Sequence, residues 1–573
     1  MPPPRPATAP SLHAPHWPPG LPRHLTLPQT NVWYNVEVSA ARYPDKPFIV
    51  FYDTPITFAE FKHATERIAG YLQADCGIRA GDRVLLYMQN SPQWILAFYG
   101  ILRASAVVVP INPMNRREEL RHCVNDSGAR AAFVAQELLA QALPLLRNEA
   151  ARDGQGPVRL VVAAYSDYLR VPTDLPVPAF VAAPALPIED ADAKAGVRSW
   201  QSMMSAVRAP GPMTAGPEDL CVMPYTSGTT GAPKGCMHTH RSVMSTLIGG
   251  AQWSGRNQDA VYLTVLPLFH VTGMSGSMNG PLYLGATIVL LPRWNADAAA
   301  QMMQRHRVTI WQLITTMMID FVANPRLSEY DISSLQAVRG GGAAMPAAVA
   351  EKLRRLTGLE YLEGYGMTET MAATHLNPPQ RPKAQCLGIP VFDVDARIID
   401  PVTLQEIPQG ETGEIIIHGP QVMKGYWEDP RADEQAFLHV NGKRFLRTGD
   451  LARIDEDGYF FMVDRLKRMI NASGFKVWPA EVEAMMYDHP DILEVCVIGA
   501  RDARRGETVK AMVVLAPAMR GRLSEADLVA WAHARMAPYK CPRIIEFTDA
   551  LPKSGTGKVL WRTLQQLENE RAG

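Results

Sequence analysis

Neither sign of charge prevails in this sequence of 573 residues, where 57 Lys and Arg balance 57 Asp and Glu. Nothing marks a surface built for nucleic acid, so small ligands are expected instead. Close cysteine pairs are lacking too. The seven cysteines, at 76, 123, 221, 236, 386, 496 and 541, are scattered and make none of the spacings of zinc or redox motifs. A reducing, cytoplasmic compartment fits that pattern. No apolar run is long and clean enough for a transmembrane segment. The most apolar window, WILAFYGILRASAVVVPINP at 94–113, is broken by Arg103 and ends in proline, so it reads as a buried helix followed by a buried strand. The N-terminal MPPPRPATAPSLHAPHWPPGLPRHLTLPQT offers proline where a secretory signal needs an apolar core, and residues 1–28 read as a flexible tail. Internal repeats are absent, and low complexity is confined to that tail and an Ala/Pro-rich patch near 171–190.

The remaining length exceeds one ordinary core. Helix-like segments such as TFAEFKHATERIAGYLQ (57–73) alternate with β-branched runs such as RVLLYM (83–88) and AVVVPI (106–111). A second block repeats this with VYLTVLPL (261–268), ATIVLL (286–291) and VTIWQLI (308–314) around ADAAAQMMQRHR (296–307). From about 385 the texture changes to glycine-punctuated short strands, DARIID (395–400), GEIIIHG (413–419) and GYFFMVDR (458–465). Pro479 then stands at a first helical position, followed by the strand candidate LEVCVIGA (493–500) and the helix candidate SEADLVAWAHARM (524–536). The expected fold is α/β. A large domain over 29–465 holds helix-covered sheets plus a β-rich subdomain, and a small α+β domain occupies 466–573.

The strongest chemical signal is YTSGTTGAPKG at 225–235, after the apolar run LCVMP (220–224). Thr226, Ser227, Gly228, Thr229, Thr230 and Gly231 offer hydroxyls and amides with little bulk, as a polyphosphate-gripping loop requires, and Lys234 adds a mobile positive charge. The GxxxxGK[ST] order of the Walker loop is missing, which excludes the usual P-loop reading.

In this segment and in GGGAAMP (340–346), EGYGMTET (363–370), TGDLARIDEDGYFFMVDRLKRMI (448–470) and PKSGTGKVLWR (552–562), taken in order, the chain resembles the adenylate-forming superfamily. That superfamily comprises acyl-CoA synthetases, luciferases and peptide-synthetase adenylation domains. The likeness runs over roughly 30–565 and is nearest in kind to fatty-acyl-CoA ligases. It implies an ATP-dependent acid–thiol ligase: an acid and Mg²⁺-ATP give acyl-AMP and pyrophosphate, then the thiol of coenzyme A displaces AMP. It also implies a C-terminal domain that turns about a hinge at Lys467. Gly341, Gly342 and Ala343 would form a side-chain-poor wall for adenine or the acyl group. Tyr365 would offer a ring face, Gly366 close approach, Thr368 a hydroxyl, and Glu369 a carboxylate for Mg²⁺. Asp450, read as a loop residue, would accept the ribose hydroxyls with Arg465 beside it. Lys558 would be the catalytic lysine, stabilising charge on the phosphate under attack, and no general base is needed because a carboxylate is already ionised. His270 in LPLFHVTG would border the acyl pocket and thiol channel, and Ser473 and Gly474 would meet the thiol arm.

Three rivals remain at this point. A peptide-synthetase unit would be followed by a carrier domain, and the sequence ends at Gly573; a stand-alone unit loading a carrier protein stays open. A luciferase-like oxygenase shares every motif. A dead binding protein would have lost Glu369, Asp450 or Lys558. For the acid, VTGMSGSMNGPLYLG (271–285) with small Gly273, Ser275, Gly276 and Ser277, and TTMM (315–318), are the expected pocket walls. No Lys or Arg lies in them, and burying an unpaired charge is costly, so a medium- or long-chain fatty acid is expected, with an aryl acid as runner-up. A homodimer is compatible with the sequence.

Overall fold

The computed structural model describes residues 12–148, 158–194, 196–226, 233–342, 344–472, 475–502, 506–554 and 559–571. Local signals set where elements begin. Thr57 and Glu60 form a reciprocal capping box that opens the helix Phe58–Ala74. The apolar window splits into the helix Pro92–Arg103, capped by Ser91, and the strand Val107–Pro110, both almost wholly buried. Further along, Pro479 starts the helix Pro479–Met486 and Ser524 caps Glu525–His533.

Two sheets covered by helices fill the larger part of the chain. One has nine strands, parallel from Pro47–Phe51 across to Tyr361–Met367 and antiparallel at both edges. Its register sets Gly340 beside Leu313 and Glu363, and Gly341 beside Gly364, so segments far apart in sequence meet edge to edge. The other has seven strands, centred on Val107–Pro110 and Arg83–Tyr87. A five-stranded antiparallel subdomain follows, built on Gly413–His418, Lys443–Ile454 and Phe460–Arg465. The C-terminal part has its own five-stranded sheet and its own core around Val477, Val482, Leu528 and Ile545. The α/β fold with a small C-terminal α+β unit is therefore as expected. Among the described residues no helix is long and apolar enough to cross a membrane. All seven cysteines are free thiols, and all but Cys76 are buried.

Two expectations are corrected. Residues 12–28 are not a loose tail. Trp17 packs edge-on to Trp253 at 5.1 Å and to Phe392 at 5.3 Å between ring centroids, His16 lies 3.1 Å from Asp457, and the Leu25 amide donates to Asp393 at 2.9 Å. Apolar side chains spaced between prolines bury against the large domain, and proline lowers the entropy lost on ordering them. Asp450, in turn, lies within the twelve-residue strand Lys443–Ile454 and not in a loop.

Candidate active site

The phosphate-loop candidate is held by its stem. Tyr225–Thr226 pairs with Lys234–Gly235, setting Thr226 opposite Lys234. Ser227, Gly228, Thr229, Thr230 and Gly231 lie outside the described residues. One helix, Arg117–Ser127, braces both sides of the stem. The Tyr225 hydroxyl donates to Asp126 Oδ2 at 2.6 Å, and the His122 ring meets the Pro233 carbonyl at 2.6 Å. Trp427 Nε1–H donates to the Asp126 carbonyl at 3.0 Å. Lys234 Nζ lies 3.2 Å from Asp429 and 5.3 Å above the Tyr426 ring.

Tyr426 also connects this stem to Glu369. Its hydroxyl donates to Glu369 Oε1 at 3.0 Å, while the Met423 amide donates to the Glu369 carbonyl at 2.8 Å. On the preceding residue, the Thr368 carbonyl meets His238 Nε2 at 2.8 Å. Burial pulls the His238 pKa down to about 4, so the ring is neutral at pH 7 and donates through Nε2. Glu369 is itself buried, which pushes its carboxyl pKa up, with the hydrogen bonds it accepts opposing that rise. Among the described residues there is no cluster of three or more His, Cys, Asp or Glu able to hold a metal alone. A single carboxylate suits Mg²⁺ when phosphate oxygens and water complete its shell.

A second constellation lies across the strand Tyr361–Met367. The Tyr365 hydroxyl donates to Asp450 Oδ2 at 2.7 Å, and Arg465 Nε sits 3.0 Å from Asp450 Oδ1. Asp450 is only 2 % exposed, whereas the Arg465 side chain is half open to solvent. The approach of Arg465 is an ion pair without hydrogen-bond alignment, so Oδ1 is buried with no hydrogen-bond donor. Native buried polar atoms are nearly always paired, and this one fits a hydroxyl-bearing ligand. The Asp450 charge raises the Arg465 pKa, keeping the guanidinium charged.

The glycines of both motifs have a structural cause. A Cβ at Gly341 would fall 2.2 Å from the Gly364 carbonyl oxygen, and one at Gly366 would fall 1.7 Å from that of Ala372. They let neighbouring strands close up, and the side-chain-poor wall is a consequence. Gly342 follows at φ +88°, and Ala343 lies outside the described residues.

His270 is partly buried, and its Nδ1 accepts from the Thr272 amide at 3.3 Å. The segment after it is a mostly buried π-helix, Gly273–Asn279. A Cβ on Gly273 would lie 2.4 Å from the Pro267 carbonyl oxygen, so that glycine packs on backbone. Between the helix His240–Ser254 and the strand Ala372–Leu376 lies a small cavity of about 20 Å³, room for about one water, bounded by Gly249, Gly250, Ala373, Phe392 and Gln421. Ser473, Gly474 and Lys558 lie outside the described residues. Sequence reading missed Asp126, His122, His238 and Tyr426, which carry no motif spacing.

The model of the AMP-binding enzyme family matches residues 36–427, and that of the AMP-binding enzyme C-terminal domain matches 481–558. A long-chain-fatty-acid–CoA ligase of Bacillus subtilis (strain 168) is 34% identical over 560 residues, 97% of each chain. A feruloyl-CoA synthase of Amycolatopsis sp is 34% identical over 510 residues, 88% of this chain and 93% of that one. A crystal structure of an anthranilate CoA ligase in complex with anthranoyl-AMP superposes with a TM-score of 0.80 at 26% identity, covering 96% of this chain and 99% of the other. With both family models matched and relatives aligned over nearly its whole length, the chain belongs to the AMP-binding enzyme family, within the adenylate-forming superfamily.

Proposed function

We propose that the chain is an ATP-dependent acid–CoA ligase. A carboxylate oxygen of the acid attacks the α-phosphorus of ATP, the bond to the β-phosphate oxygen breaks, and pyrophosphate leaves. The sulfur of coenzyme A then attacks the acyl carbon, and the bond to AMP breaks. This order puts a good leaving group on an unreactive carboxylate. The observation that carries the reading is the buried, half-satisfied Asp450 carboxylate, with Oδ2 fixed by Tyr365 and Oδ1 open beside Arg465. Such a group accepts ribose hydroxyls, and Tyr365 would meet the base. Glu369, steadied by Tyr426, would hold Mg²⁺, which supplies neutralisation of phosphate charge when bound. Thr226, Lys234 and the loop between them would grip the phosphates. By family likeness Lys558 would offset charge at the α-phosphorus, His270 would border the acyl group, and Ser473 and Gly474 would meet the thiol arm.

The acid is a medium- or long-chain fatty acid in this reading, supported by the fatty-acid ligase relative. An aryl acid is the second reading, favoured by the feruloyl-CoA synthase and by the anthranoyl adenylate bound in the structural neighbour. Seven free thiols and no disulfide suit a reducing compartment. Pyrophosphate exchange over a panel of acids from acetate to palmitate and from benzoate to ferulate, followed by mass detection of acyl-CoA, tests the proposal. Exchange without any CoA product would transfer the second step to a carrier-protein thiol. No exchange with any acid would refute the ligase.

A further inference from the structure

The strand Lys443–Ile454 does not run straight to Asp450. Against the neighbouring strand Gly413–His418, Arg447 pairs with Ile416 and Leu451 with Glu414, so Thr448, Gly449 and Asp450 bulge opposite the single residue Ile415. A bulge re-aims a side chain, and this one presents Asp450 to Tyr365 and Arg465. Gly449 sits at φ +68° with nothing within 4 Å of its would-be Cβ, so glycine serves the left-handed backbone here and not a close approach. Thr448 ties the bulge to its neighbour. Its hydroxyl donates to the Ile415 carbonyl at 2.8 Å and accepts from the Asp450 amide at 3.1 Å.

One buried carboxylate holds the rest. Glu414, 2 % exposed, accepts from Arg447 Nη2 at 2.6 Å and Nε at 3.1 Å through Oε2, and from the Gly449 amide at 3.1 Å through Oε1. It grips the residue before the bulge and the middle of the bulge at once. A buried ion pair contributes little net stability over apolar side chains of similar volume, because both charges lose their water. Stability alone therefore does not account for a carboxylate at this position. The Gly449 amide, which the bulge takes out of the strand pairing, does need an acceptor. Resting on the ligase reading above, we propose that Glu414 is a positioning residue for ATP: by holding Gly449 it fixes the bulge that aims Asp450 at the ribose, without meeting the nucleotide itself. Its contribution is selectivity for the sugar. A bulge free to flatten would keep a carboxylate on the same strand but would no longer set it to accept two hydroxyls.

The test is calorimetric titration with Mg²⁺-ATP and with Mg²⁺-2′-deoxyATP, which lacks one ribose hydroxyl. Wild-type protein should bind ATP about tenfold more tightly, the worth of one hydrogen bond to a charged group. In Glu414→Ala the Arg447 side chain, 27 % exposed, can turn to water, ATP should bind about tenfold more weakly, and the preference should fall to about twofold or less. Glu414→Gln keeps an acceptor for the Gly449 amide and should retain most of the preference. A merely structural role would lower the Tm and leave the ratio between the two nucleotides as in the wild type. Should Glu414→Ala fail to fold, Gly449→Ala takes its place: it keeps the Glu414 and Arg447 pair but strains the left-handed backbone, and the preference should fall in the same way. An undiminished preference in either folded variant overturns the inference, and so does a wild-type ratio near one. Pyrophosphate exchange over the acid panel reports separately on the ligase, since wild-type protein that shows the ribose preference yet exchanges with no acid would remove that reading alone.

Discussion

Replacing Tyr365 by Phe keeps the ring that would meet the base and deletes only the hydroxyl that donates to Asp450 Oδ2 at 2.7 Å. Burial pushes the Tyr365 pKa well up, so the phenol is protonated and donating at every working pH. A hydrogen bond to a charged group contributes about 1.5–3 kcal/mol. Arg465 keeps its hold on Oδ1 in the variant, so the lower end, about 1.5–2 kcal/mol, is expected. Without the phenol the carboxylate is free to swing toward Arg465 and away from the ribose. The KM for ATP should then rise about 10- to 30-fold, at roughly 1.4 kcal/mol per decade, with kcat changing much less. A double-mutant cycle isolates the pair. Asp450→Ala alone should be more damaging, because it also strands Arg465, and adding Tyr365→Phe to it should cost under about 0.5 kcal/mol. Pyrophosphate exchange at varied ATP measures all four corners. Additive costs, with no coupling between the two residues, would refute the claim that Tyr365 acts through Asp450.

Other outcomes follow from the same physics. Lys558→Ala should lower adenylation by two to three decades, the worth of about 3–4 kcal/mol of transition-state stabilisation, while thioester formation from supplied acyl-AMP persists; equal loss in both steps would count against the assignment. Lys467→Pro fixes φ at the expected hinge and should spare pyrophosphate release while slowing acyl-CoA formation, so a variant making acyl-CoA at the normal rate would contradict it. Glu363, buried beneath the Met345 amide that it accepts at 2.8 Å, has its carboxyl pKa pushed up to about 7 by burial. Its folded pKa exceeds the unfolded one, so the stability it allows is present below about 4.5 and is lost as pH rises toward about 7. Glu363→Gln mimics the neutral form and should gain on the wild type by up to about 3 kcal/mol across that window, read as Tm against pH; parallel curves would refute it.

Legibility in the sequence followed the range of the interaction. Helix starts at Thr57, Pro479 and Ser524 were readable because a cap is decided within four residues. The candidate nucleotide residues were readable through motif order. Their supports were not. Tyr426 reaches Glu369 across 57 positions, Tyr225 reaches Asp126 across 99, and His238 reaches the Thr368 carbonyl across 130. No periodicity spans such distances, and each of these side chains taken singly reads as an ordinary core or surface residue. Asp450 was mistaken for a loop residue because its TGD triplet reads as a turn, whereas pairing on both sides draws it into a long strand.

The substrate wall shows why the motifs and the acid separate. Glycine reads the same in sequence whether it clears room for a ligand or for a neighbouring backbone. Gly273 and Gly276 looked like pocket residues, yet a Cβ on the first meets the Pro267 carbonyl and a Cβ on the second meets the Gln312 amide. Gly250, which no motif singled out, has nothing within 4 Å of its would-be Cβ and does border the cavity. The cavity draws on four separate stretches, near 245–250, 373–376, 391–392 and 421, and none of them contains Asp450, Glu369 or the phosphate loop. Relatives of equal identity are a fatty-acid ligase and a feruloyl-CoA synthase, so overall likeness separates the acids no better than the shared motifs do.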